Sequence, residues 1–201
     1  MPTPWPTDER FDVELLEHGD RRNVADRYRY WSVEAIREDL DRDPFPVEVA
    51  IENWEHDFNI GTVVRNANAF GVRRVHIVGR RRWNRRGAMV TDRYLHVEHH
   101  RSVEELLHDA SSRDLAVVGV DNLAGSVPLE STALPRRSVL LFGQEGPGLS
   151  DAAQDAASLV CSITMYGSTR SINAGVASGI ALHTWVLQHA PGPPQSRPSG
   201  G

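Results

Sequence analysis

Short apolar runs with strand character alternate along the chain with segments whose apolar residues recur every three or four positions. "PVEVAIEN" gives a first strand over Val47 to Ile51, and "RRVHIVG" a second over Val75 to Val78. "LAVVGV" gives one at Leu115 to Val120, "SVLLFG" one at Ser138 to Phe142, and "LVCSITM" a last one. Between them, "NIGTVVRNANAFGV" predicts a helix starting at Asn59. "SVEELLHDASSR" predicts another, with Ser102 as cap and Glu105 three residues on, the capping-box spacing. "DAAQDAAS" is a short helix, and "SINAGVASGIALHTWVLQH" a long one with Ser171 as cap and Ile172 as first residue. Strands separated by helices predict an α/β domain with a mostly parallel sheet flanked by helices.

The ends read differently. Residues 1–45 are charged, with a helix at "SVEAIREDLDRD", and form an N-terminal extension to a domain over 46–190; the Pro/Gly/Ser-rich stretch 191–201 reads as a disordered tail. "RRNVADRYRYW" joins arginines to Tyr28, Tyr30 and Trp31, which suits either a grip on RNA or an amphipathic segment packed on the domain. No apolar run is long enough to span a membrane, and the N-terminus lacks a signal-peptide core; with one cysteine, Cys161, these features point to the cytoplasm and exclude a cysteine zinc cage. The nine histidines show no metal-ligand spacing, and His99-His100 reads as a surface pair.

Charge changes the picture through its distribution. The net charge of −5 argues against a polyanion partner, but between Asp57 and Asp92 there is no acid, while Arg65, Arg73, Arg74, Arg80, Arg81, Arg82, Arg85 and Arg86 all fall there. That window is about +8, which leaves about −13 for the remainder. Arginine forks onto phosphate oxygens, so the window points either to a polyanion partner or to a solvated surface with scattered arginines, with Trp83 in "GRRRWNRRG" lying inside it.

Three stretches carry candidate chemistry. On a helical wheel Ile60, Val63, Val64, Ala67 and Phe70 form a core stripe, and Arg65 points away from it beside Gly61, Thr62, Asn68 and Ala69. Either Arg65 is an ordinary surface residue and Asn59 only a cap, or small neighbours leave room for something to approach the guanidinium. "LLFGQEGPGLS" places Gly143, Gly146 and Gly148 around one acid, Glu145, after a strand; it is neither a Walker loop nor a Gly-x-Gly-x-x-Gly fingerprint, and is a tight turn or a close approach to a ligand. In "ITMYGSTRSINAGVASGIAL" a helix start accepts Gly175 and Gly179, each costing about 1 kcal/mol against alanine, so another backbone or a ligand should lie close. Packing leaves Asn173 unexplained. Asp121-Asn122 reads first as a loop pair and second as a crevice lining.

These three stretches, in this order, resemble the motifs of the SpoU/TrmH family of RNA ribose 2′-O-methyltransferases, within the SPOUT superfamily. The resemblance covers about residues 46–190 and departs mildly at Ile172, Ala174 and Gly175. It implies a C-terminal deep trefoil knot, a homodimer, no metal, and S-adenosylmethionine held by Phe142, Gly143, Glu145, Gly146, Ile163, Met165, Ile172 and Asn173. It implies Arg65 as the catalytic arginine, with Asn59, Glu145, Ser171 and Asn173 as its polar companions. Arg65 with Arg80, Arg81, Arg82, Trp83, Arg85 and Arg86 would bind a tRNA or rRNA. A knotted methyltransferase acting on a base, and an RNA-binding protein without turnover, are the competing readings.

Overall fold

The structure, a computed structural model, describes residues 4–55 and 58–192. Asp57, where the acid-free window begins, and residues 193–201 of the predicted tail lie outside them. A parallel seven-stranded sheet forms the centre, in the order β3-β2-β1-β6-β4-β7-β5. Its strands are β1 (Val47–Asn53), β2 (Arg74–Gly79), β3 (His96–His100), β4 (Ala116–Val120), β5 (Val127–Pro128), β6 (Ser138–Phe142) and β7 (Leu159–Ser162). Helices α3 (Ile60–Ala69) and α6 (Ala174–His189) cover one face; α4 (Val103–Ser112) and α5 (Asp151–Ala156) cover the other. Among the described residues no helix is long and apolar enough to cross a membrane.

The two-residue period of β1 explains both faces. Val47, Val49 and Ile51 enter the core under α3 and α6, while Ala50 joins Val78, Leu106 and Leu141 under α4 and α5. The wheel predicted for α3 holds: Ile60, Val63, Val64 and Ala67 are fully buried, and Phe70 packs against the same core. Each of the three larger side chains contributes about 1.5–3 kcal/mol by leaving water.

The N-terminal residues form α1 (Val13–His18) and α2 (Val33–Asp41) and pack on the sheet edge. Tyr28 is buried with Ile36 and Tyr94, and Trp31 lies edge-on to it at 5.5 Å. The aromatic residues Tyr28 and Trp31 therefore serve packing. Arg22 is spent on Asp20 and on the carbonyl of Trp31.

Three features depart from the sequence pattern. β3 is not announced there because "HVEHH" lacks an apolar alternation; its edge position lets it carry polar side chains toward a polar cluster instead of a core. β5 is too short to show a period. The long helix begins at Ala174, not Ile172, and its cap is Asn173, whose side chain accepts from the amide of Val176; Ser171 lies two residues before the cap and is exposed.

Candidate active site

A cavity of about 290 Å³ opens at the carboxyl ends of β4 and β6 and above the loop after β7. Crevices outside the carboxyl ends of parallel strands are where such sheets take ligands. Its lining includes Phe142, Gly143, Glu145, Gly146, Ile163, Met165, Ile172 and Asn173, all of the predicted cofactor residues, together with Ser171. Among the described residues its only charged lining groups are Asp121 and Glu145; no arginine, lysine or histidine of that set faces it.

The loop after β6 is folded back on itself. Gln144 and Gly148 exchange backbone hydrogen bonds of 3.2 and 3.0 Å. Gly148 has φ of +75°, and a Cβ there would stand 2.3 Å from Oδ2 of Asp121. Only glycine meets both conditions. The loop's far end is fastened twice: the amide of Leu149 donates to Asp121 (2.9 Å), and the amide and hydroxyl of Ser150 donate to the fully buried Glu52 (2.8 and 2.6 Å). Asn122 holds the facing loop, donating to the carbonyls of Ile163 and Arg170 and accepting from the amide of Ile163. Glu130 accepts from the amide of Thr164, and that bond holds its carboxyl below the usual range. Asp121 and Asn122 thus line the crevice and pin its walls, the second of the two roles their sequence position allows. Glu52 had no signal beyond an acid on the inward period of a buried strand.

Asn59 sits at the start of α3 but makes no side-chain cap bond; its backbone is helical there, which turns the amide away from the first-turn N–H groups. Its Nδ2 donates to Glu145 (2.9 Å) and its Oδ1 accepts from Nδ2 of Asn173 (2.6 Å). One polar chain therefore joins the first helix, the glycine loop and the cap of α6, across sequence separations of 86 and 114 residues.

Arg65 is exposed, outside the cavity lining, and makes no hydrogen bond or ion pair among the described residues. It follows Thr62 on the same face of α3. Thr62 reaches α6: a Cβ on Gly175 would lie 2.7 Å from its Cγ2. Asn66 next to Arg65 fixes the helix rotation by donating to the carbonyl of Gly175 (2.7 Å) and to Ser178 (2.9 Å). The small residues of α6 are met by α3 of the same chain. The space expected around Gly61 is filled as well: a Cβ there would be 2.7 Å from Cα of Gly87.

The arginine window divides. Arg73 is buried and paired with Asp41 at 2.7 Å, and Arg74 pairs with Glu98 and Glu48. Arg85 reaches Asp92 at 3.3 Å and lies 5.6 Å from the ring of Trp83, which is half-buried against the core. Arg65, Arg80, Arg81, Arg82 and Arg86 are exposed without a carboxylate partner among the described residues. The loop carrying Arg80 to Arg86 is tied at its base, since Nδ2 of Asn53 donates to the carbonyls of Arg80 and Arg82. The predicted surface pair is neither superficial nor a pair. His100 is buried and bonded to His76, while Nε2 of His99 turns to the opposite side, 2.7 Å from the carbonyl oxygen of Gly79.

A profile of the SpoU rRNA Methylase family matches residues 46–183. The uncharacterized tRNA/rRNA methyltransferase YfiF of Escherichia coli O157:H7 is 32% identical over 146 residues, covering 70% of this chain and 42% of its own length. An uncharacterized tRNA/rRNA methyltransferase of Mycobacterium avium (strain 104) is 34% identical over 141 residues, covering 67% of this chain and 45% of its own. The chain thus spans less than half the length of these relatives. Among solved structures, the A. aeolicus TrmH/SpoU tRNA modifying enzyme superposes with a TM-score of 0.68 at 24% identity, over 78% of this chain and 81% of that one. The SpoU methyltransferase AviRb from Streptomyces viridochromogenes, in complex with AdoMet, superposes with a TM-score of 0.66 at 25% identity, over 74% and 61%.

Proposed function

The chain belongs to the SpoU rRNA Methylase family, and from that premise we propose that it transfers a methyl group from S-adenosylmethionine to a ribose 2′-hydroxyl of a structured tRNA or rRNA in the cytoplasm. The observation that carries this reading is the cavity itself, with two carboxylates, no basic group among its described lining, apolar cover from Phe142, Ile163, Met165 and Ile172, and backbone brought close by glycines. A phosphorylated nucleotide would face like charge there; a cationic sulfonium nucleoside would not. About 290 Å³ suits one nucleoside-sized ligand.

Bound there, S-adenosylmethionine supplies a methyl group already activated by the sulfonium charge. The chain supplies alignment. Asn59, Ser171 and Asn173 orient the ribose, and Glu145 keeps Asn59 in place. The Arg65 guanidinium, always charged, holds a neighbouring phosphate and stabilises negative charge growing on the 2′-oxygen. Arg80, Arg81, Arg82 and Arg86 extend the track along the RNA, with Arg85 and Trp83 at its side. Loops 143–149 and 163–173 both converge on the end of β4, and the C-terminal trefoil knot that the family resemblance implies would be formed by these loops. The exposed Val176, Ile180 and Leu187 on α6, with Phe58 before α3, support a homodimer through these helices.

The test is transfer of tritiated methyl to bulk tRNA and rRNA, followed by digestion to nucleosides. Label in 2′-O-methylnucleosides is expected, with turnover in Arg65→Ala down by roughly two orders of magnitude or more. Label in a methylated base, or near-normal turnover in that variant, would overturn the assignment.

A further inference from the structure

We propose that His76, His100, Glu98 and Asp109 form a structural site for a divalent zinc-class metal ion on the sheet face opposite α3. One ligand atom from each of the four residues lies within 4.8 Å of the others. Nδ1 of His76 is 2.9 Å from Nε2 of His100, 3.7 Å from Oε2 of Glu98 and 4.0 Å from Oδ2 of Asp109. Ligand atoms of a tetrahedral zinc centre with bonds near 2.0–2.1 Å stand roughly 3.3 Å apart, and the three distances from Nδ1 of His76 bracket that edge length, with small closing movements of the carboxylates needed for the rest. Two imidazoles with two carboxylates suit a borderline-soft dication rather than calcium or magnesium.

A second, independent feature is the support behind the ligands. His76 is fully buried, and its other nitrogen, Nε2, faces Oε2 of Glu48 at 2.8 Å. A carboxylate on the far ring nitrogen fixes the tautomer in which Nδ1 carries a lone pair. Without metal that lone pair accepts the Nε2 proton of His100 at 2.9 Å, and this proton is released when a metal ion takes its place. Glu48 is in turn held by Arg113 at 3.0 Å. Glu98 is held through Oε1 by Arg74, which leaves Oε2 toward the centre. Arg113 contacts Oδ2 of Asp109 and lies 4.0 Å from Oε2 of Glu98, so an entering metal ion displaces that guanidinium from the ligand oxygens. The three carboxylates exceed the two arginines by one negative charge. A dication therefore enters a partly compensated site and must displace protons and arginine contacts, so it binds more weakly than in a thiolate cage. Bound metal would stitch the edge strand β3 to β2 and α4, far from the cavity at the ends of β4 and β6. The donors come from β2, β3 and α4, which is why no local spacing announced them.

The experiment uses the full chain, stripped with chelator and titrated with Co²⁺ and then Zn²⁺. One equivalent per chain is expected, with the intense visible bands of tetrahedral cobalt, their loss on zinc addition, and a rise of several degrees in Tm. Asp109→Asn and His100→Gln should abolish the bands, while His99→Gln, on the neighbouring histidine of the other face, should keep them. Absent bands in the wild type, or bands that survive in both Asp109→Asn and His100→Gln, would overturn the proposal. Circular dichroism identifies a variant that has lost its fold, in which case wild-type stoichiometry and spectrum decide.

Discussion

Single side chains do several jobs at the candidate active site, and Asn173 shows this best. It caps α6 and binds Asn59 in one geometry. Asn173→Ala removes both, so the urea midpoint should fall by an amount worth about 1–2 kcal/mol; an unchanged midpoint would mean neither bond matters. The residue types at positions 59, 145 and 173 were legible in the sequence. Their mutual bonding was not, because partners so far apart in the chain meet only through the sheet. Cys161 offers a second test. Burial pushes its thiol pKa up, so Ellman's reagent should label it only as the chain opens, far more slowly than a free thiol. Asp20 gives a pH test. The hydrogen bond from Arg22 holds its carboxyl well below the ordinary value of 3.8. That stabilisation is complete above the unfolded pKa and is lost as pH falls through the lower folded one. The stability gap between wild type and Asp20→Asn should therefore be widest at neutral pH and shrink below about pH 4.

At the scale of elements, α3 is the part on which the site depends. Its apolar stripe meets the sheet, Asn66 and Thr62 meet α6, and Gly61 meets the turn at 85–88. Gly61→Ala gains about 1 kcal/mol in helix propensity but forces a Cβ against backbone at 2.7 Å. Overpacking of that kind costs about 1–3 kcal/mol, so a net loss is expected in denaturant unfolding and a net gain would contradict the close approach. The stripe of α3 and the capping box of α4 were readable because period and cap are local signals. The start of α6 falls two residues later than its pattern suggests because Ser171 and Asn173 are both good caps, and only the bond to Asn59 separates them. β3 escapes pattern reading because its inward residues, Glu98 and His100, answer to a polar cluster assembled from other elements.

Across the whole molecule, charge is sorted rather than spread. Of the acid-free window, Arg73 and Arg74 belong to the sheet edge, Arg65 stands exposed on α3, Arg85 and Arg86 lie in the turn packed on that helix, and Arg80 to Arg82 are exposed beyond the end of β2. Reversing Arg80, Arg81 and Arg82 together to glutamate should weaken RNA binding and flatten its dependence on salt by roughly one unit of slope for each phosphate left without its arginine. S-adenosylmethionine affinity should not move, since none of the three lines the cavity. The most direct measurement is a calorimetric titration of the full chain with S-adenosylmethionine, run for wild type, Arg65→Ala and Ala177→Phe, whose new ring would occupy the cavity that Ala177 lines. One site per chain is predicted in the first two proteins and its loss in the third. No binding by wild type, or undiminished binding by folded Ala177→Phe, would contradict the placement of the methyl donor between the glycine loop and α6.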